Sequence, residues 1–206
     1  MPRPRIGRAQ TFFAPVASLR IGAEELIFRE VEDRDLIAGA RRGNVDAFNL
    51  LISRWEKRIY NYLYRLVSDR EDALDLAQDV FLKAYQNLGK LEDPSRFAPW
   101  LYRIAHNEAY SLLRKNRPEV ELFEPSPSPP SPRMLPIEVS LAVESALARL
   151  TPDQKEAVVL KIYQGFKFEE MAEITGCPVS TVKSRLYTAL DLLKEVLAPS
   201  SLRGVE

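Results

Sequence analysis

The sequence predicts an all-α protein made of two helical domains joined by a proline-rich flexible linker. Three observations lead there: apolar residues recur at helical spacing through two long blocks, no stretch alternates with period two for long enough to ask for a sheet, and residues 118–136 hold seven of the fifteen prolines. The chain then divides into a disordered leader over 1–31, a first domain over 32–117, the linker over 118–136, a second domain over 137–198 and a tail over 199–206.

With 206 residues, 46% hydrophobic and 28% charged, the chain can bury a core in one or two soluble domains. Its formal net charge is zero, so any affinity for nucleic acid has to come from local separation of charge. Such separation is present. Residues 69–93 carry seven acidic against three basic side chains, net −4, and residues 94–117 carry five basic against one acidic, net +4. One cysteine, Cys177, and one histidine, His106, exclude a disulfide framework or a Cys/His zinc site within the chain and suit a reducing cytoplasm. No metal or cofactor is expected. No apolar run reaches the roughly 20 residues of a membrane helix. Arg3, Arg5 and Arg8 before TFFAPVASL imitate a signal peptide, but Pro15 interrupts the run and Arg20 closes it.

The first helical pattern opens at Asp35 with Leu36, Ile37 and Ala40 and breaks at Gly43-Asn44, where Asn44 can cap the next helix. There Phe48, Leu51, Ile52, Trp55, Ile59, Leu63 and Leu66 form one stripe. Ser68-Asp69-Arg70-Glu71 reads as a capping box for a third helix, whose core stripe is Ala73, Leu76, Ala77, Val80, Phe81, Ala84 and Leu88, ended by Gly89. Off that stripe lie Asp72, Asp75, Gln78, Asp79 and Lys83, an acidic face suited to a basic partner.

Asp93-Pro94 gives the next N-terminus, with a helix from about Ser95 to Lys115. Phe97, Leu101, Ile104, Ala105, Ala109 and Leu112 point inward. Trp100, Arg103, Asn107, Tyr110 and Arg114 form a second row, able to stack bases, grip phosphates and bond base edges. Alternatively, Trp100 and Tyr110 belong to the core of a thicker bundle. The linker that follows, at about 3.1 Å per residue in a polyproline conformation, would reach roughly 60 Å.

The second domain opens with Val139, Val143, Ala146, Leu147 and Leu150. Thr151-Pro152-Asp153-Gln154 is a further capping box, starting the helix that holds Ala157, Val158, Leu160 and Ile162. Residues 165–197 read as a helix-turn-helix. Met171, Ala172 and Ile174 supply the first helix, Gly176 a left-handed C-cap, Pro178 a stop and Ser180 the N-cap of the second. That second helix turns Val182, Leu186, Ala189, Leu190, Leu193 and Leu197 inward. Thr181, Lys183, Ser184, Arg185, Tyr187 and Thr188 are left near its N-terminus, the end a recognition helix inserts into the major groove. An ordinary mixed-polarity surface helix is the rival reading of that face.

The order of these blocks, DAFNLLISRWEKRIYNYLYRLVSDREDALDLAQDVFLKAYQNL, then FAPWLYRIAHNEAYSLLRK, a proline-rich linker and LTPDQKEAVVLKIYQGFKFEEMAEITGCPVSTVKSRLYTAL, resembles the extracytoplasmic-function (group 4) sigma factors of bacterial RNA polymerase. The resemblance spans about residues 33–197. It implies a sigma-2 and a sigma-4 domain, with no sigma-1.1 or folded sigma-3 domain between them. It assigns Asp75, Gln78, Asp79 and Phe81 to docking on core polymerase. Trp100, Arg103, Asn107, Tyr110 and Arg114 go to the −10 recognition and melting helix, with Arg96 closing the loop from Gly89 that captures a flipped base. Thr181, Lys183, Ser184, Arg185, Tyr187 and Thr188 fall on the −35 helix. The implied partners are core RNA polymerase, promoter DNA as a −35 duplex and a single-stranded −10 element, and an anti-sigma factor, all met in the cytoplasm without membrane insertion, catalysis or cofactor. Phe168 departs from the pattern, standing where the first helix of the motif usually has a Ser or Thr cap, and the leader is long.

Two other readings stay open at this level. A helix-turn-helix regulator that binds duplex DNA alone would leave the Trp100 row and the acidic face idle. An enzyme with a DNA-binding tail would need a phosphate loop, a metal set or a nucleophile-base pair, and none stands at a recognisable spacing.

Overall fold

The computed structural model describes residues 31–115, 146–147 and 149–197, and every regular element among them is helical. Expectations for residues 1–30, the linker, Val139, Val143, the Leu197 side chain and the tail lie outside the described residues.

Helix α1 runs over Asp33–Arg41, starting two residues before the expected Asp35 because Asp33 is fixed from the next helix. Its carboxylate pairs with Arg54 and accepts from the Trp55 indole nitrogen at 3.0 Å. Gly43 turns the chain at φ 89°, and Asn44 accepts from the Ala47 amide at 3.1 Å, opening α2 (Val45–Val67). Six of the seven expected stripe residues of α2 are buried and Ile52 is half-buried; Tyr62, not expected there, is fully buried.

Ser68 does not open α3 (Arg70–Asn87). It ends α2 in a left-handed turn at φ 60°, bonding back to the Tyr64 carbonyl, and Asp69 takes over as cap by accepting from the Asp72 amide at 2.9 Å. The capping box read at Ser68 and Glu71 therefore gives way to a single side-chain cap one residue later: the residue that reverses the chain out of α2 cannot also sit in the extended conformation a cap needs. Two 3₁₀ turns, Leu88–Lys90 and Pro94–Arg96, lead into α4 (Phe97–Lys115). The α-helix starts later than Ser95 because Asp93 caps the tighter turn instead, accepting from the Ser95 amide at 2.9 Å.

The second module opens at the full capping box of Thr151 and Gln154, which exchange bonds of 3.3 and 3.0 Å at the head of α5 (Pro152–Val158). The helix continues as a π turn over Val159–Tyr163. One extra residue in that turn swings later side chains by about 100°. Ile162, expected in the core, is thus 60% exposed. Helices α6 (Phe168–Thr175) and α7 (Val179–Leu197) follow, joined through Gly176 at φ 68°. Ser180 lies inside the first turn of α7, and the Val182 amide bonds back to the Pro178 carbonyl, so Pro178 is the boundary residue.

Apolar contact holds each module: Leu51, Ile59, Leu63, Val80 and Leu101 in the first; Leu160, Met171, Ile174, Val182 and Ala189 in the second. Between the modules runs a seam, with α6 against α4 and α5 against α2, where the Tyr102 and Phe166 rings meet edge to face at 4.8 Å alongside a set of polar contacts. Glu156, only 1% exposed, accepts from the Tyr62 hydroxyl and lies 2.8 Å from His106 Nδ1. One turn earlier on α5, Asp153 accepts from Tyr110 at 2.8 Å. Tyr102 donates to Gln164 at 2.6 Å, and the Lys155 ammonium donates to the Ser68 hydroxyl at 2.9 Å. The Arg65 guanidinium stacks on Tyr163 at 4.1 Å.

Burial is the main cause that raises the Tyr62, Tyr102 and Tyr110 phenols above their ordinary range, with the Glu156 charge next for Tyr62 and Tyr110. A raised phenol favours the folded chain below the unfolded value, and that contribution is lost as pH climbs above about 10. Of the eight tyrosines, these three should therefore stay neutral beyond the ordinary phenol value of about 10 and release their protons together with unfolding. Tyrosinate absorbance followed alongside circular dichroism checks this. Within the core, Leu63→Ala should cost about 2–5 kcal/mol in urea unfolding, and the exposed Lys57→Ala no more than about 0.5 kcal/mol.

Candidate nucleic-acid interface

Helix α7 separates its two faces sharply over its first three turns. Val182, Leu186 and Ala189 are at most 3% exposed, so the rotation of the helix is fixed by packing. Lys183, Ser184, Tyr187 and Thr188 are consequently exposed, with Thr181 and Arg185 half-buried. Leu190, expected inside, reaches 36% exposure and Leu193 is half-buried, since the helix runs past the edge of its module. Arg185 is the held member of the set. Its Nη2 pairs with Asp153 at 2.5 Å and its Nη1 lies 3.2 Å from the half-buried Cys177 sulfur.

The start of α6 also answers the departure at Phe168. Lys167 occupies the cap, and its amide donates to Glu170 Oε2 at 2.7 Å, so the helix starts without a Ser or Thr. Phe168 instead lies beneath the Lys161 and Lys183 ammonium groups, at 4.8 and 5.2 Å from the ring centre. Lys183 is thereby held over the ring near the N-terminal end of α7.

On α4 the predicted row divides. Arg103, Asn107 and Arg114 are exposed, Trp100 and Tyr110 half-buried. Arg114 bonds back to the Tyr110 carbonyl at 3.3 Å. Tyr110 stacks on His106 with centroids 4.3 Å apart and gives its hydroxyl to Asp153. Arg96 pairs with Glu173 of α6, the contact that raises its basicity most. The inward stripe expected on α4 also shifts: Ile104 and Leu112 are half-buried while Tyr102 is buried.

Trp100 and Asn107 line a cavity of about 270 Å³ between α3 and α4, together with Lys83, Asn87, Lys90, Ile104 and Glu108. Lys83 and Glu108 close one side with a 2.5 Å ion pair. Sequence reasoning missed Asn87 here and gave Lys90 only as part of the loop from Gly89 to Arg96; the i, i+4 spacing of Lys83 and Asn87 was the available signal for the first. The loop beside the cavity is fixed from α1, because Arg41 donates to the Leu88 carbonyl at 3.2 Å and also to the Leu91 carbonyl.

Along α3, Asp75, Gln78 and Asp79 are exposed on one face. Phe81, assigned to that surface, is only 6% exposed and lies on the core stripe of the helix. The apolar part of the face comes from Leu74 and Leu82, 46% and 56% exposed, which the sequence reading passed over.

Comparison with known proteins agrees with this geometry. Residues 51–119 match the family model Sigma-70 region 2 and residues 140–193 match Sigma-70, region 4. The chain is 33% identical over 183 residues to an RNA polymerase sigma-H factor of Pseudomonas aeruginosa, covering 82% of this chain and 95% of that one. It is 34% identical over 185 residues to an ECF RNA polymerase sigma-E factor of Haemophilus influenzae, covering 82% and 97%. Among solved structures, the sigma factor RpoE in complex with the anti-sigma factor NepR, from Bartonella quintana, superimposes with a TM-score of 0.64 at 30% identity, over 74% of this chain and 98% of that one. The chain belongs to the extracytoplasmic-function sigma factors of the sigma-70 family, the proteins that direct promoter-specific initiation of transcription.

Proposed function

We propose that this sigma factor divides promoter reading between its two modules, residues 32–117 taking the −10 element and residues 137–198 the −35 element. The observation that carries the reading is the exposure pattern of α7: a fully packed inner face and, opposite it, Lys183, Ser184, Tyr187 and Thr188 in solvent near the helix N-terminus. Lys183 and Arg185 supply cations for phosphate or guanine edges, Thr181, Ser184 and Thr188 hydroxyls, and Tyr187 a ring with a polar tip. The helix N-terminus adds its own favourable field for phosphate.

The α4 side works on separated strands. A base lifted from the stack would enter the cavity beside Trp100, with the Asn107 amide at its edge and the Lys83 and Lys90 side chains toward its phosphates. Arg96, Arg103, Tyr110 and Arg114 extend the surface along the strand. Melting then exchanges base stacking for aromatic contact worth about 1–3 kcal/mol per base, with core polymerase supplying the remaining binding energy. Asp75, Gln78 and Asp79, with Leu74 and Leu82, form the acidic and apolar face for the polymerase.

No catalysis is assigned to the chain, which acts by binding. The partners are core RNA polymerase and promoter DNA in the cytoplasm, and the likeness to RpoE, solved with NepR, supports an anti-sigma factor as a further partner. Among the described residues no helix is long and apolar enough to cross a membrane.

In run-off transcription with core polymerase, Arg185→Ala should cost about 1–3 kcal/mol of −35-dependent promoter binding with polymerase affinity unchanged. Equal loss of both would make Arg185 a structural residue. Trp100→Ala should leave closed complexes in place while lowering permanganate reactivity of −10 thymines by a factor equivalent to about 1–3 kcal/mol. Undiminished reactivity would remove Trp100 from the melting step.

A further inference from the structure

Helix α1 carries no residue assigned to DNA or polymerase, yet its last turn holds one wall of the Trp100 cavity. Arg41 Nε donates to the Leu88 carbonyl at 3.2 Å, and its Nη2 donates to the Leu91 carbonyl. One guanidinium fork thus spans the 3₁₀ turn Leu88–Lys90 and binds an acceptor at each end of it. Leu88 and Leu91 are 3% and 4% exposed, so their side chains are pinned in the core while Arg41 fixes their carbonyls from outside. Between them stands Lys90, which lines the cavity with Asn87, opposite Trp100 and Asn107 of α4. Arg41 itself does not line the cavity.

The seating of α1 lets it serve as a brace. Leu36 and Ile37 are buried, and a Cβ at Gly39 would come 3.0 Å from the Ala47 Cβ, so α1 lies close against α2. At its first turn Asp33 pairs with Arg54 and accepts from the Trp55 indole. The helix also packs on the second 3₁₀ turn, Pro94–Arg96. There the Ser95 hydroxyl and amide hold the Asp93 carboxyl below its ordinary value, and the Arg34 charge of α1 adds to that effect. Arg34 and Arg41, two turns apart on one face of α1, therefore address both ends of the segment from Leu88 to Arg96.

A pocket discriminates between bases only while its walls keep a fixed separation, because a misplaced donor or acceptor loses its hydrogen bond. Core packing of Leu101 and Ala105 sets the α4 wall. The opposite wall ends in a single 3₁₀ turn, closed by a Leu91 amide bond to the Leu88 carbonyl that is long at 3.3 Å. We infer that Arg41 is a positioning residue for −10 base selection: its two hydrogen bonds hold the turn that carries Lys90 at a fixed distance from Trp100 and Asn107. The inference rests on the reading that this cavity takes a lifted −10 base. Arg41 acts through the backbone of the turn, so it sets which base is accepted and leaves the hold on polymerase and on the −35 duplex untouched.

The test uses full-length Arg41→Met, which keeps an apolar stem and removes every donor, with core polymerase and promoter fragments varied one base at a time across the −10 element. At one −10 position the variant should lower the ratio of best to worst base in run-off transcript about tenfold, with the ratios at other positions and in the −35 element unchanged. An unchanged ratio overturns the inference. So does an equal loss on every sequence, which would make Arg41 a phosphate contact or a residue of the fold alone. Amide hydrogen exchange of the free chain gives a second readout without DNA. Arg41→Met should speed exchange over residues 89–92 about tenfold, with the core amides of α2 and α3 at the parent's rates. Parental exchange in that segment, or faster exchange throughout the chain, overturns the inference. Failure of the underlying reading looks different: a Trp100→Ala chain would keep the parent's ratio at every −10 position while the Arg41→Met segment still exchanges faster.

Discussion

A carboxylate removed from water needs hydrogen bonds where it lies, and Glu156 obtains them from outside its own module, from Tyr62 and His106. That requirement sets how the two modules meet. α5 has to lie across α2 and α4 with its first turn toward Tyr110, which brings Asp153 within reach of both Tyr110 and Arg185. The placement of α6 against α4, and with it the Arg96–Glu173 pair, then follows from the short π turn that leads out of α5. One buried acid thus positions the helices around it more closely than apolar packing alone would, because a hydrogen bond tolerates less displacement than a van der Waals contact.

The charge separation visible along the chain becomes spatial in a simple way. The acidic stretch supplies the outer face of α3 and the basic stretch the exposed side of α4, two neighbouring helices turned to different directions. Lys83, one of two cations on α3 with Arg70, and Glu108, the one carboxylate on α4, find each other at 2.5 Å across the groove. Their pairing keeps a stray positive charge out of the acidic face and a stray negative charge out of the basic one. A chain of zero net charge can in this way offer one surface to a basic protein and another to nucleic acid.

Most of the fold was legible because each helix carries its own instructions. Asn44, the Thr151–Gln154 box and Gly176 act within four residues of themselves, and they appear where the pattern puts them. Errors arose where a local signal had two possible uses. Ser68 could cap one helix or end another, and Ile162 was counted at 3.6 residues per turn through a segment that winds more loosely. The site was less legible than the fold. Arg185, Tyr110 and Arg96 were picked out by residue type, but what each touches depends on a module distant in the chain. Tyr62 and Tyr102 were missed altogether, since a tyrosine on a core stripe gives no sign of which acceptor its hydroxyl will find. Glu156 shows the same limit from the other side: within its own helix it looks like any solvent-facing acid.

Stability alone does not account for such a seam. A buried ion-pair or carboxylate network is often matched, or exceeded, by apolar side chains of the same volume, so leucines at Tyr62, His106 and Glu156 could hold the modules at least as firmly. They would also make the closed form hard to leave, because separation would then expose apolar surface at roughly 25 cal/mol per Å² with no hydration gained in return. Polar groups reverse that asymmetry: they specify one relative placement while closed and are well solvated when open. Interfaces that form and part repeatedly share this more polar character. The Tyr102–Phe166 ring contact adds apolar burial to this seam, and the hydrogen bonds of Glu156, Asp153 and Gln164 fix its register.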